Sequence, residues 1–180
     1  MTAILAGASG CGDPARGPAP LPPDAVPIPA GPAPRWRPPP RAAAAVAAGR
    51  EVAGLRCTTG ATPRVGVFLE LIVHRRVVVV PAGVGTARDC SYPVRTRGPT
   101  GVLEVEAGAR LRLGHAFALW GQALGPRRLA SFRGRVRAYV GGRAWRGDPR
   151  AIPLRRHAVI VLQLGEHVPP HPRYAFPVGL

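Results

Sequence analysis

Between Gly12 and Arg41 the chain carries Pro14, Pro18, Pro20, Pro22, Pro23, Pro27, Pro29, Pro32, Pro34, Pro38, Pro39 and Pro40, which is 12 of its 23 prolines. Proline fixes φ near −65° and donates no backbone hydrogen bond, so such a stretch can join neither a helix interior nor a central strand. Residues 12–41 are therefore expected to form an extended, semi-rigid spacer of polyproline character. Whatever folds must come from the rest of the 180 residues, where a chain-wide hydrophobic content of 46% suffices for one core. The longest run of small apolar residues, Ala42 to Ala48, falls far short of the roughly 20 needed to cross a bilayer as a helix. That excludes a polytopic membrane protein.

Ahead of the spacer, Ala8-Ser9-Gly10-Cys11 resembles the lipobox of bacterial lipoproteins, in which the cysteine is lipidated and becomes the first residue of the mature chain. Small residues before the cysteine suit a signal peptidase, and Gly12-Asp13 suits a polar mature start. Three features depart from the pattern. Ala8 stands where leucine is commoner, the apolar run Ala3 to Ala8 is short, and no basic start precedes it. A start codon assigned too late, cutting off the front of the signal, accounts for the short run and the missing basic start and makes residues 1–11 a truncated signal; a chance cysteine among small residues is the competing account. The first reading implies an exported protein anchored through lipid on Cys11 to the outer face of the cell membrane, with 12–41 as the spacer from anchor to domain. Cys57 and Cys90 then remain as an even pair in an oxidising compartment, expected to form a disulfide. The competing reading is two unrelated buried thiols.

Charge adds a second asymmetry. Lys+Arg number 25 against 9 Asp+Glu, and every one of the 25 is arginine; lysine and asparagine are absent. Arg, Ala, Gly and Pro all use G/C-rich codons, so the base composition of a high-GC bacterium explains much of this excess. Attraction to a polyanion, such as an anionic envelope polymer, is the functional alternative. Nucleic acid is the weaker partner, because the arginines are scattered and aromatics amount to only 6%.

Beyond the spacer, residues 42–56 are expected to form a short helical lead-in, weakened by Gly49 and Gly54, with the folded domain over 57–180. Val65, Val67, Leu69, Leu71 and Val73 alternate with their neighbours, the signature of a half-buried strand, and His74-Arg75 is placed to turn it back into Val77–Val80. A second hairpin spans Ser91 to Gly108 with its loop at 98–101, which sets Arg95 opposite Glu104 and Arg97 opposite Val102. Leu113, Phe117, Trp120 and Leu124 mark one amphipathic helix ended by Gly125-Pro126. A third hairpin turns at Gly141-Gly142, and residues 157–165 contain the last long strand. The expected fold is α+β: a β-rich single domain of hairpins plus one main helix, β-grasp-like in its C-terminal half.

From Cys57 to Leu180 the segments "GLRC", "VPAGVG", "CSYPVRT", "TGVLEVE", "LGHAFALWGQAL", "VRAYVGGRAWRGDPRAIPL", "HAVIVLQLG" and "YAFPVGL" resemble, in order, an uncharacterised family of exported, lipoprotein-like bacterial proteins. The resemblance implies a His-x-His-x-His strand, a later His-Thr-His-Asp motif and a further histidine strand, whose imidazoles could converge on copper or zinc. Here those positions hold Arg64, Gly66 and Phe68, then Arg95 and Arg97, then Glu104. Arginine has no lone pair to offer a metal. The cysteines of the family match Cys57 and Cys90. This chain reads as a divergent member whose histidines gave way to a charged patch of Arg64, Glu70, Arg95, Arg97 and Glu104. No metal or other cofactor is expected.

Catalytic constellations are poor. Ser9, Ser91 and Ser131 lie in no Gly-x-Ser-x-Gly turn, and Glu104 and Glu106 read as an outward strand face. His167 and His171 flank Pro169-Pro170 and read as surface residues of an extended tail; His157 and His115 read as packed or boundary residues, and His74 belongs to its turn. The expected role is a non-catalytic binding or structural one at the cell envelope, with an anionic polymer or another envelope protein as partner. A metal-handling protein with an altered site is the alternative.

Overall fold

Alternating apolar residues build the centre of the molecule. In the computed structural model, which describes residues 40–180, the first long strand β1 runs Arg64–Val73 and reverses at His74-Arg75 into β2, Arg76–Val78. Both turn residues have positive φ, 49° and 65°, the twist that suits a two-residue hairpin. The expected signal remnant with Cys11 and nearly all of the expected spacer lie outside the described residues. The lead-in helix α1 spans Pro40–Ala47, taking in the last two residues of the expected spacer and stopping well before Arg56. Proline is tolerated in a first helical turn, where its missing N–H would have had no partner. Gly49, at φ +64°, then redirects the chain.

The second hairpin pairs β3 (Val94–Arg95) with β4 (Val102–Glu106), and α2 (Leu113–Trp120) follows. This helix ends four residues earlier than its apolar spacing suggests. Gly121 adopts φ +68° and donates its N–H to the last turn, a cap that glycine takes without steric cost. Leu124 instead opens a small three-stranded sheet of two-residue strands: β5 (Leu124–Gly125), β6 (Arg128–Leu129) and β7 (Phe132–Arg133). Then β8 (Val136–Val140) and β9 (Arg143–Trp145) turn at Gly141-Gly142 as expected, and β10 (Val159–Leu164) closes the domain.

The main sheet runs β3-β4-β1-β10-β8-β9, with β2 also paired to β1. Its two central strands are parallel, Phe68 beside Val159 through Val73 beside Leu164. The other edge of β1 is used twice, by β4 against residues 64–68 and by β2 against 71–73. The domain is a strand-rich α+β fold. Its grasp-like strand order, with one helix over a parallel central pair, needs β1 and β4 from the first half and so is not confined to the second.

One face of this sheet carries the main core. Val67, Leu69 and Leu71 of β1, Leu103 and Val105 of β4, and Ile160 and Leu162 of β10 join Leu113, Phe117 and Trp120 of α2. The expectation of a half-buried β1 needs correction, because its second face is covered as well. There Ile72, Val159 and Val161 pack with Val168, flanked by Phe68, Tyr139 and Tyr174. The cover is segment 166–180, an irregular strap laid across the sheet.

Candidate functional site

At the β3–β4 edge, on the strap side, the expected charged patch takes a definite form. Arg95 stands opposite Glu104 in the ladder, as the loop length implied. Its Nε reaches Glu104 Oε2 at 2.9 Å, while Arg97 Nε reaches Oε1 at 2.8 Å. Each carboxylate oxygen thus has its own guanidinium. Arg97 lies past the end of β3 and arrives by side-chain length rather than by ladder position. Arg64, on the neighbouring β1, donates from Nη1 to the Glu104 backbone carbonyl at 3.3 Å. Its Nη2 donates to Ser91 Oγ at 3.0 Å and to the Tyr92 carbonyl at 3.1 Å.

Glu104 is therefore not on an outward face. Its side chain is 8% exposed against 73% for Arg97. A carboxylate so buried is tolerated because two cations and their hydrogen bonds replace its lost water. Burial, and then the adjacent Arg95 cation, push the Arg64 guanidinium below the usual arginine range, while Glu104 and Glu106 pull it back up. Three guanidiniums thus share the neighbourhood of two side-chain carboxylates, Glu104 and Glu106.

The disulfide supports this edge. Cys57 and Cys90 are bonded, with Cα atoms 5.5 Å apart. Their neighbours Thr58 and Ser91 exchange two backbone hydrogen bonds at 3.1 and 3.0 Å, which fixes the Ser91 hydroxyl in front of Arg64. Gly49 sits so close behind that a Cβ there would lie 3.0 Å from Cys90 Sγ. The fold thus ties the end of the lead-in, the disulfide and the arginine cluster into one support.

In front of the cluster lies an open cleft of about 400 Å³, walled by the 60–62 turn, the three arginines, Glu104 and residues 177–180. Val178 at its rim is wholly exposed. Arg97 Nη1 and Nη2, and Arg95 Nη2, have no protein partner among the described residues and are left as donors. Ser91 Oγ is held by Arg64 and, at 3.4 Å, by Arg95. Guanidiniums cannot take a proton from a hydroxyl, so this serine is not set up as a nucleophile.

Glu70 does not belong to the patch. It shares a face with Arg64, but six residues along a strand put it about 20 Å away. Buried to 3% side-chain exposure, it bonds His171 Nδ1 at 2.8 Å instead. His171 is accordingly no surface residue, and this pair is the contact that sequence reasoning missed. The signal for it was a lone carboxylate amid Leu69, Leu71 and Ile72, which demands a buried partner. His167 lies beside the Tyr139 hydroxyl at 3.2 Å, and His157 Nε2 meets the Leu180 carbonyl at 2.7 Å. His115 Nδ1 accepts the Arg112 N–H at the start of α2. Of the six positions where the resemblance implies histidines, Arg64, Arg95, Arg97 and Glu104 converge. Gly66 and Phe68 serve the strap: Phe176 lies over Gly66, and Tyr174 stacks on Phe68 with centroids 4.0 Å apart. Among the described residues no group of three or more His, Cys, Asp or Glu is placed to hold a metal ion. The chain matches no protein-family model, no curated protein and no solved structure.

Proposed function

We propose that this chain is an exported domain, tethered to the outer face of the cell membrane through lipid on Cys11, with a non-catalytic binding role at the cell envelope. The observation that carries the reading is the Cys57–Cys90 disulfide, which belongs to an oxidising compartment and braces the arginine cleft. The cleft supports binding rather than chemistry, since its polar groups are donors and a carboxylate already paired. On this reading the chain is a divergent member of the exported, lipoprotein-like family it resembles, with the charged cluster standing where that family's histidines would be. Its partner is an anionic envelope component.

Detergent partitioning tests the tether. Produced in a bacterial host behind a working export signal, the chain should enter the detergent phase, and Cys11→Ala should remain aqueous. Equal partitioning of the two proteins overturns the anchor.

A further inference from the structure

We propose that the cleft at the β3–β4 edge is a phosphate site, in which Arg97 and Arg95 donate to the oxyanion and Arg64 supplies charge from behind. The proposal rests on the envelope-binding reading and names the ligand chemistry of the same site. Glu104 spends one oxygen on each of two arginines, accepting a hydrogen bond from Arg95 Nε and pairing by charge with Arg97 Nε. Both guanidiniums line the cleft, and each has N–H groups beyond the one that meets Glu104. A planar carboxylate bringing two more oxygens would repeat what Glu104 already does. A tetrahedral anion presents oxygens in several directions and can bridge both guanidiniums at once.

Electrostatics point the same way. Three guanidiniums gather at one cleft, and Arg64 is disfavoured as a cation by its burial and by Arg95. An added anion relieves both. Volume agrees too: about 400 Å³ takes a phosphate together with the group that carries it. Exposed Val178 at the rim offers that group an apolar contact. A phosphodiester bearing a glycerol or similar short carbon unit fits, whether it comes from a soluble polymer or from a lipid headgroup.

The full chain carrying Cys11→Ala is used, so that lipid on the protein cannot itself bind vesicles. It is titrated calorimetrically with glycerol 3-phosphate at low salt. It is also sedimented with phosphatidylglycerol vesicles, using phosphatidylcholine as control. We expect saturable binding, weakened about tenfold by Arg97→Ala, as loss of a charge-assisted contact implies. Arg143→Ala removes the same charge from β9 at the opposite end of the sheet and should change affinity less than about twofold. Binding of the soluble probe shows that phosphate is recognised without a bilayer, and binding of phosphatidylglycerol alone identifies a headgroup; either supports the site. No binding of either probe, or equal losses in Arg97→Ala and Arg143→Ala, overturns it. A chain that partitions into detergent yet binds neither probe loses the phosphate site and keeps the tether. The converse result loses only the tether.

Discussion

The two faces of β1 are covered by different means. Its Val67, Leu69 and Leu71 face meets a helix, and nearly every residue in that layer is apolar. Its opposite face carries Gly66, Phe68, Glu70 and Ile72, and an irregular strap lies on it. An apolar layer accepts any cover of the right volume, which is the ordinary condition of a core. The second face is selective. Gly66 admits the Phe176 ring, since a Cβ there would lie 2.6 Å from it. Glu70 takes His171. Buried Gln163 on β10 exchanges two hydrogen bonds with the Val168 backbone, at 2.6 and 3.2 Å, as a paired strand would. Each residue that breaks the apolar pattern has its own partner, and together they set where the strap sits.

The largest loss should come from the helix face. Phe117→Ala should cost about 3–5 kcal/mol in urea unfolding, with the whole transition moving. A loss below about 1 kcal/mol would mean that the helix face is not the principal core. On the strap face, His171→Ala removes the partner of a buried carboxylate. The loss should be smaller, about 1–3 kcal/mol, because the strap can lift locally and let water reach Glu70. Replacing both groups, Glu70→Leu with His171→Leu, should recover most of it. If the double variant is no more stable than His171→Ala, the pair does not act as a unit. Gly66→Ala should be the mildest, within about 1 kcal/mol of the parent, since the ring in its way belongs to a movable side chain and alanine is otherwise easily placed in a strand. Its effect should appear as faster protease cleavage within 172–180, with the unfolding midpoint nearly unmoved. Global unfolding would show that strap and sheet are one cooperative body.

Local signals were legible wherever the pattern repeats. Alternation located β1, turn residues located the hairpins that hold β4 and β8, and a continuous apolar run located β10. The Arg95–Glu104 opposition followed from loop length alone. Arg97 was placed within the cluster, but by ladder position opposite Val102, because side-chain reach leaves no periodic trace. The two-residue strands β5 to β7 are too short to show a period at all, and Leu124 fitted the helical spacing although Gly121 had already ended the helix. Proximity of β1 to β10 was not legible either, as pairing between distant segments is set by the whole fold. Prolines misled for a physical reason. Pro169-Pro170 suggested an exposed tail, yet a segment poor in N–H donors can lie on a sheet face without leaving those donors unpaired.

The parallel contact between β1 and β10 also governs how the chain reaches this state. Phe68 and Val159 are neighbours in space but 91 residues apart in sequence. Closing so long a loop precedes any gain from the central pairing, so folding should be slow for a domain of this size. A chain emerging from its N-terminus would hold β1 with an unfilled edge until residues 159–164 arrived. During that interval an apolar ten-residue strand is open to pairing with other chains, and the hazard ends only when the last strand is delivered.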